Sequence, residues 1–383
     1  MAIPPELQQI VAQVKQQYPQ LADLPDEVVA QMILQAMQEQ QGAPRGEAYI
    51  ESMSAHECGV YGEQLLSTGR WQEAERFFFS QLEKGEKESD VDQQTKACVK
   101  LGHLCRDRGD FSQAMMLYQQ ALTLADRSGD RRLMGVIYDE MGTTYRRQGS
   151  YPQAIECYKK SLQDGFYGDE SDLAVGYGNL GNVYRQQGDY DRAIQAYKRA
   201  NELHLKLGLE ANVAKGYGNL GTVYLEQGRY DLAIEMYQKG LEMQLRIGDQ
   251  RGAAAKYGNL GIVHSSLGNY EQAIQMYQKA LEFMQRIGDE PGAAQGYGNL
   301  ANVYADMGDA GQALAYYHQA LKIFERIGDR HNAAIFYFDL GDLYREQGDV
   351  AQARAYFQKA KALFEMVGDT QKAQVSAQVL RRL

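Results

Sequence analysis

The 383-residue sequence predicts an all-α solenoid of antiparallel helix pairs, and three observations predict it. The first is repetition. Gly176–Ala200, GYGNLGNVYRQQGDYDRAIQAYKRA, returns at Gly216–Gly240, at Lys256–Ala280 and at Gly296–Ala320. Leu-Gly pairs at 180–181, 220–221 and 260–261, then Leu300-Ala301, set a period of 40 residues. A fixed period of that size marks a repeat architecture. The second observation is a pair of helical stripes in each unit. Tyr217, Leu220, Gly221 and Tyr224 fall at i, i+3, i+4 and i+7, and Ala233, Tyr237 and Leu241 at i, i+4 and i+8. The third is punctuation. Gly228 lies between the stripes, where a helix end favours a residue free to take positive φ, and Gly248-Asp249 ends one helix and offers a cap to the next.

The elements follow in order. Residues 1–46 stand outside the repeat. Leu7, Ile10, Val11 and Val14 make one short amphipathic helix, and Pro25-Asp26-Glu27 opens a second carrying Val28, Val29, Met32, Ile33 and Met37. Gln38–Arg45 reads as a linker. The helices serve either as a cap over the first repeat, since the end of a solenoid needs a covering face, or as a docking pair. Eight units then occupy 47–369, marked by Gly62, Gly102, Gly142, Gly181, Gly221, Gly261, Ala301 and Gly341. Only the step from 142 to 181 falls one residue short, which assigns the deletion to Phe166–Asp169 or a helix end beside it. The first unit is degenerate but keeps Tyr61-Gly62, Ala74 and Phe78. Thr370–Leu383 is a final helix, expected to cover Leu340, Tyr344 and Phe357 of the last pair.

Composition narrows the function. A formal net charge of −10 argues against a nonspecific nucleic-acid or anionic-membrane surface. No run of about 18 apolar residues is present, so no bilayer-spanning helix and no membrane insertion is expected. The N-terminus lacks a basic stretch followed by an apolar core, and the four cysteines form no regular framework. Both point to reduced thiols and a cytoplasmic setting. Metal spacings such as HExxH or CxxC are missing, and so is a GxxxxGK[ST] loop. Gly176–Gly181 matches GxGxxG by letter only, because that fingerprint needs a preceding strand. His103 between Cys98 and Cys105 makes an incomplete ligand set. The expectation is a chain without catalysis, metal or cofactor.

The motif bulky–x₂–Leu-Gly–x₂–Tyr followed by Ala–x₃–Tyr resembles the tetratricopeptide repeat, with helices longer than in the common 34-residue form. That resemblance implies a right-handed superhelix whose first helices line a concave groove. Against it, two sets of residues stand out. Asn179, Asn219, Asn259 and Asn299 each precede the Leu of the Leu-Gly pair, off the apolar stripe, although Asn is a modest helix former. Beside them stand Gly178, Gly218, Gly258 and Gly298, with Gly176, Gly216 and Gly296 two residues earlier. Each mid-helix Gly costs about 0.5–1 kcal/mol relative to Ala, so a steric demand opposes its replacement. For the earlier set close helix packing is an even match; for Gly178 and its equivalents, approach of a ligand backbone is favoured. The Asn amides could then clamp a peptide bond.

The 40-residue pattern is similar to repeats of the Pins-type spindle-orientation adaptors and, more loosely, of kinesin light chain. The resemblance implies that Asn179, Asn219, Asn259 and Asn299 hold an extended peptide, with Asn182 and Asn302 on the same face. Lys96, Lys100, His103, Arg106, Arg146, Arg147 and Arg185 bring positive charge to the early units. Asp306, Asp339, Asp342 and Glu346 bring negative charge to the late ones, so the groove is expected to be polar along its length unless these charges are merely solvated. The functional expectation is a non-catalytic scaffold or adaptor binding a protein or peptide segment. The alternatives are a peptide-sensing regulator that changes superhelical shape to control an effector, and a non-catalytic subunit that positions an enzyme.

Overall fold

The computed structural model describes residues 47–163 and 169–383, together with Gln8, Val11 and Lys15. The helices expected within 1–46 and the connection through 166–168 lie outside the described residues. Two compact units divide at Asp130 and Arg131. The first holds α1 (Glu47–Ser52), α2 (Ala55–Ser67), α3 (Trp71–Glu88), α4 (Val91–Asp107) and α5 (Phe111–Ser128). The second opens with α6 (Arg131–Arg147), α7 (Tyr151–Ser161), α8 (Glu170–Gln186) and α9 (Tyr190–Lys206). It continues with α10 (Glu210–Glu226), α11 (Tyr230–Arg246), α12 (Gln250–Ser266), α13 (Tyr270–Arg286) and α14 (Glu290–Asp306). Then come α15 (Ala310–Ile327), α16 (Arg330–Glu346), α17 (Val350–Met366) and α18 (Thr370–Arg382). No strand occurs among the described residues.

Each pair is a first helix and a second helix joined by a tight turn. In the C-terminal half of α10, Gly221 is small because Tyr237 lies against it. A Cβ added to Gly221 would fall 2.7 Å from the Tyr237 ring. The same contact joins Gly261 to Tyr277, Gly341 to Phe357 and, in the first unit, Gly102 to Tyr118. Ala233, Ala273, Ala313 and Ala353 are fully buried opposite. The recurrent Leu-Gly and Ala–x₃–Tyr spacings are thus two halves of one interlock, and burying each Tyr contributes about 1.5–3 kcal/mol.

Local chemistry sets the helix ends. Gly228 and Gly248 take φ of 71° and 73°, closing their helices in the left-handed region that only glycine enters freely. Asp249 then caps α12, its carboxylate accepting the Gly252 N–H at 2.9 Å. Asp289, Asp309, Asp329 and Asp349 repeat the device, each worth about 1 kcal/mol.

The end helix α18 sits differently from expectation. Leu340 is buried in the α14–α16 core, and Phe357 is held between Gly341 and the Phe338 ring, 5.0 Å away between centroids. What α18 covers is Ala334, Ala360 and Phe364, with Ala373 as its own inward residue. The reason is helical phase. Phe364 lies seven residues past Phe357 on α17 and presents the next two turns of that stripe to the terminus.

Candidate functional site

The first helices α8, α10, α12 and α14 carry one ladder Asn each. Asn179, Asn219, Asn259 and Asn299 are all half-buried. The side chains of Asn179, Asn219 and Asn259 make no hydrogen bond to any described residue. Asn299 accepts one from Gln295 Nε2 at 3.3 Å. An amide carries two donors and an acceptor, so three rungs keep their full capacity for a ligand.

The glycines beside them divide into two kinds. A Cβ on Gly178 or Gly258 would meet nothing within 4 Å. At Gly218 it would lie 2.5 Å from Lys256 Nζ, and at Gly298 it would come well under 3.0 Å from the Phe336 ring. The pattern has a simple cause. Lys256 and Phe336 stand where the other units have Gly216 and Gly296, 38 residues beyond the glycine they face. Where that position is glycine the notch stays open, and where it carries a side chain the notch is filled. The steric demand at Gly298 is therefore internal, set by a Phe336 ring stacked 5.3 Å from Phe324. At Gly218 it comes from the far end of a lysine. Gly178 and Gly258 alone present open space. Of the earlier set, Gly216 is confined by the Asn201 amide, whereas Gly296 has Leu281 Cδ1 at an ordinary 3.6 Å.

Asn182 and Asn302 have a structural duty that the sequence reading did not assign. Tyr197 Oη donates to Asn182 Oδ1 at 2.7 Å, and Tyr317 Oη donates to Asn302 Oδ1. Thr143 with Tyr158 and Thr222 with Tyr237 make the equivalent contact at 2.9 and 3.1 Å. The residue after the small position is thus a partner for the interlocking Tyr, fifteen residues on. Their Nδ2 donors are not used by that bond.

Charge is partly spent inside the protein. Arg185 pairs with Glu226 at 2.5 Å, Lys96 with Asp92 and Lys100 with Glu63 at 2.7 Å each. Arg146 lies beside the Tyr158 phenol, and Arg147 is exposed on the last turn of α6. At the other end of the second unit, Asp342 pairs with Arg345 at 2.6 Å. Burial, and then the neighbouring Asp342 charge, push the Asp339 carboxyl up to about 6. Asp306 is also raised, by burial and by Glu346. Asp339 occupies the ladder position of its unit, in a cleft of about 190 Å³ lined by Ile335, Phe338, Phe364, Lys372 and Val375.

The thiols are poor nucleophiles. Burial raises Cys98 to about 12 and Cys157 to about 11, and it raises Cys58 and Cys105 as well. His103 packs on the Tyr118 ring, 6.0 Å between centroids. Among the described residues no three His, Cys, Asp or Glu side chains gather as a metal would need, and no helix is long and apolar enough to cross a membrane.

A tetratricopeptide repeat profile matches residues 92–164, 133–206, 209–286 and 292–366. The chain belongs to the tetratricopeptide repeat family. Members of this family act as protein-interaction scaffolds. The human cell division cycle protein 16 homolog is 28% identical over 110 residues, 28% of this chain. The match spans 16% of that relative's length. Among solved structures, the apo form of RapI has a TM-score of 0.62 at 16% identity, over 86% of this chain and 96% of that one. A Rap protein complexed with Competence and Sporulation Factor has a TM-score of 0.51 at 16% identity, covering 86% and 97%. These likenesses show the fold.

Set in the tetratricopeptide frame, four buried polar residues depart from it. Asn201 and His204 are 6% and 9% exposed on α9, and neither side chain has a partner. Gln244 is 2% exposed on α11 with Oε1 unpartnered, and Lys256 is 7% exposed on α12. Other repeats hold Leu241 or Leu281 at the Asn201 position, Met284 or Phe324 at that of His204 and Gln244, and Gly at that of Lys256. Sequence reasoning followed what recurs and missed them. The signal was the column in which the repeats disagree.

Proposed function

We propose that this tetratricopeptide protein is a non-catalytic scaffold that binds an extended peptide segment of a partner along its first helices. The observation that carries the reading is the row of unspent amides Asn179, Asn219 and Asn259, with open notches at Gly178 and Gly258. An extended backbone needs one donor and one acceptor per residue, which side-chain amides supply without reading sequence. Open glycine notches let that backbone come close. Asn299 and the Nδ2 groups of Asn182 and Asn302 extend the row. Arg146 and Arg147 at one end of the second unit, and Asp339 at the other, favour one direction for a ligand of uneven charge. The neutralising pairs at Arg185 and Asp342 leave that preference modest.

The fold shared with RapI and with a Rap protein complexed with Competence and Sporulation Factor favours a second reading. In it, ligand binding changes the shape of the solenoid and controls an effector. A photoreactive residue at Asn259, and separately at Gln275, exposed on α13, tests the first reading against a displayed library of extended peptides. Labelling at 259 and not at 275 supports it, and equal labelling or none at 259 overturns it. A ligand-dependent change in X-ray scattering would add the second reading, and unchanged scattering would remove it.

A further inference from the structure

The boundary between the fourth and fifth repeats, α9 against α10, departs from its neighbours in three ways. His204, in the last turn of α9, is 9% exposed, and neither ring nitrogen has a partner among the described residues. The sixth, seventh and eighth repeats put Met284, Phe324 and Phe364 there. One turn earlier, Asn201 is 6% exposed with its amide equally unpartnered, where the next three repeats have Leu241, Leu281 and Leu321. The fit around it is close, since a Cβ on Gly216 of α10 would collide with the Asn201 amide. The third departure is at the helix end. α12, α14, α16 and α18 each begin under a capping Asp side chain, whereas α10 begins at Leu209, which offers its first turn no side-chain acceptor.

Buried polar groups without partners favour any conformation that lets water reach them. Of the two, only His204 changes charge near neutral pH. Burial alone lowers its pKa from the ordinary 6.5. The charged side chains at this end of α8, α9 and α10 are paired elsewhere or exposed. Glu170 pairs with Lys206, Asp172 with Arg132, Glu202 with Arg199 and Glu210 with Arg246, and Lys215 is exposed. None of these carboxylates is placed to hold an imidazolium inside the closed boundary.

We propose that the α9–α10 boundary is an acid-sensitive joint, closed over a neutral His204 and opened when that imidazole takes a proton. The closed state excludes the cation and the opened state hydrates it. The opened state therefore binds the extra proton and gains population as pH falls through about 6.5. A single group of this kind raises the opening constant by up to about tenfold per pH unit, until the buried imidazole itself titrates. The boundary lies between the Asn179 rung on α8 and the Asn219 rung on α10, so its opening alters their spacing. The joint works without a ligand, and its test is separate from that of the peptide face.

The test is hydrogen exchange of the full chain at about pH 7 and about pH 5, corrected for the intrinsic pH dependence of exchange. It compares the wild type with His204→Met, His204→Gln and His264→Tyr. His264 on α12 is a second imidazole whose pKa burial lowers, and the last variant separates the two. In the wild type, amides of α9 and α10 are expected to lose about tenfold more protection in acid than those of α13 and α14, whose boundary holds Leu281 and Met284. Both His204 variants should abolish the excess, Met by removing the polar ring and Gln by keeping a polar group that does not titrate. His264→Tyr should leave the excess in place. No excess in the wild type, an excess that survives in either His204 variant, or one that disappears with His264→Tyr would overturn the joint and leave the peptide reading untouched.

Discussion

Two glycines at the same position of their repeats should respond to alanine with opposite signs. Gly258→Ala adds a methyl group with nothing within 4 Å, so only the helix-propensity gain of about 0.5–1 kcal/mol remains. Gly298→Ala gains the same propensity but drives the methyl into the Phe336 ring. That ring is 3% exposed and fixed between Tyr317 and Phe324, with centroids 6.1 and 5.3 Å away. Overpacking of this kind costs about 1–3 kcal/mol, which leaves a net loss of about 1–2. The penalty should vanish in a Phe336→Ala background, a coupling of about 1–3 kcal/mol in a double-mutant cycle. Urea unfolding followed by circular dichroism supplies the midpoints. Hydrogen exchange localises the change, because a solenoid need not unfold in two states. Equal destabilisation by both substitutions would refute the division into open and filled notches. So would a neutral Gly298→Ala.

Other consequences concern the carboxyl end. The folded carboxyl of Asp339 titrates near 6, above its ordinary 3.8, so the folded state holds the proton more tightly. Its contribution is favourable at low pH and is lost as pH rises through about 6. Asp339→Asn should therefore stabilise the protein by about 3 kcal/mol at pH 8 and change little at pH 4. A pH-independent difference between the two melting curves would exclude this. Deleting Thr370–Leu383 should expose Ala334, Ala360 and Phe364, promote association, and fray α16 and α17 before α8 and α9. Uniform loss of amide protection along the second unit would count against nearest-neighbour coupling.

The repeat, the helix pairing and the Asp caps were legible because each is written several times at fixed spacing. The glycine of Leu-Gly and the Tyr sixteen residues later each stand out on their stripes, but their contact comes from the structure. The ladder Asn residues stand out in the sequence for a different reason: no packing rule asks for them. What the sequence hid lies between repeats. The use of Asn182 and Asn302 by Tyr197 and Tyr317, the filling of notches by Lys256 and Phe336, and the seat of α18 on Phe364 all depend on which side chain of one unit meets which of the next. Periodicity within a unit carries no information about that meeting. Charge was misleading in the same way, since Arg185 and Glu226 are 41 residues apart in the chain and 2.5 Å apart in space.

The most direct test of the peptide-binding face is the affinity of the Asn219→Ala, Asn259→Ala double variant for a peptide selected on the wild-type protein, measured by titration calorimetry. Each Asn should contribute about 1–3 kcal/mol where its loss leaves a ligand backbone group unpaired. The double variant is then predicted to bind at least tenfold more weakly. Its helix content should be unchanged and its melting temperature equal or higher, because Ala is the better helix former. An unchanged affinity, or a melting temperature that falls, would make these residues part of the scaffold's own packing and would contradict the account.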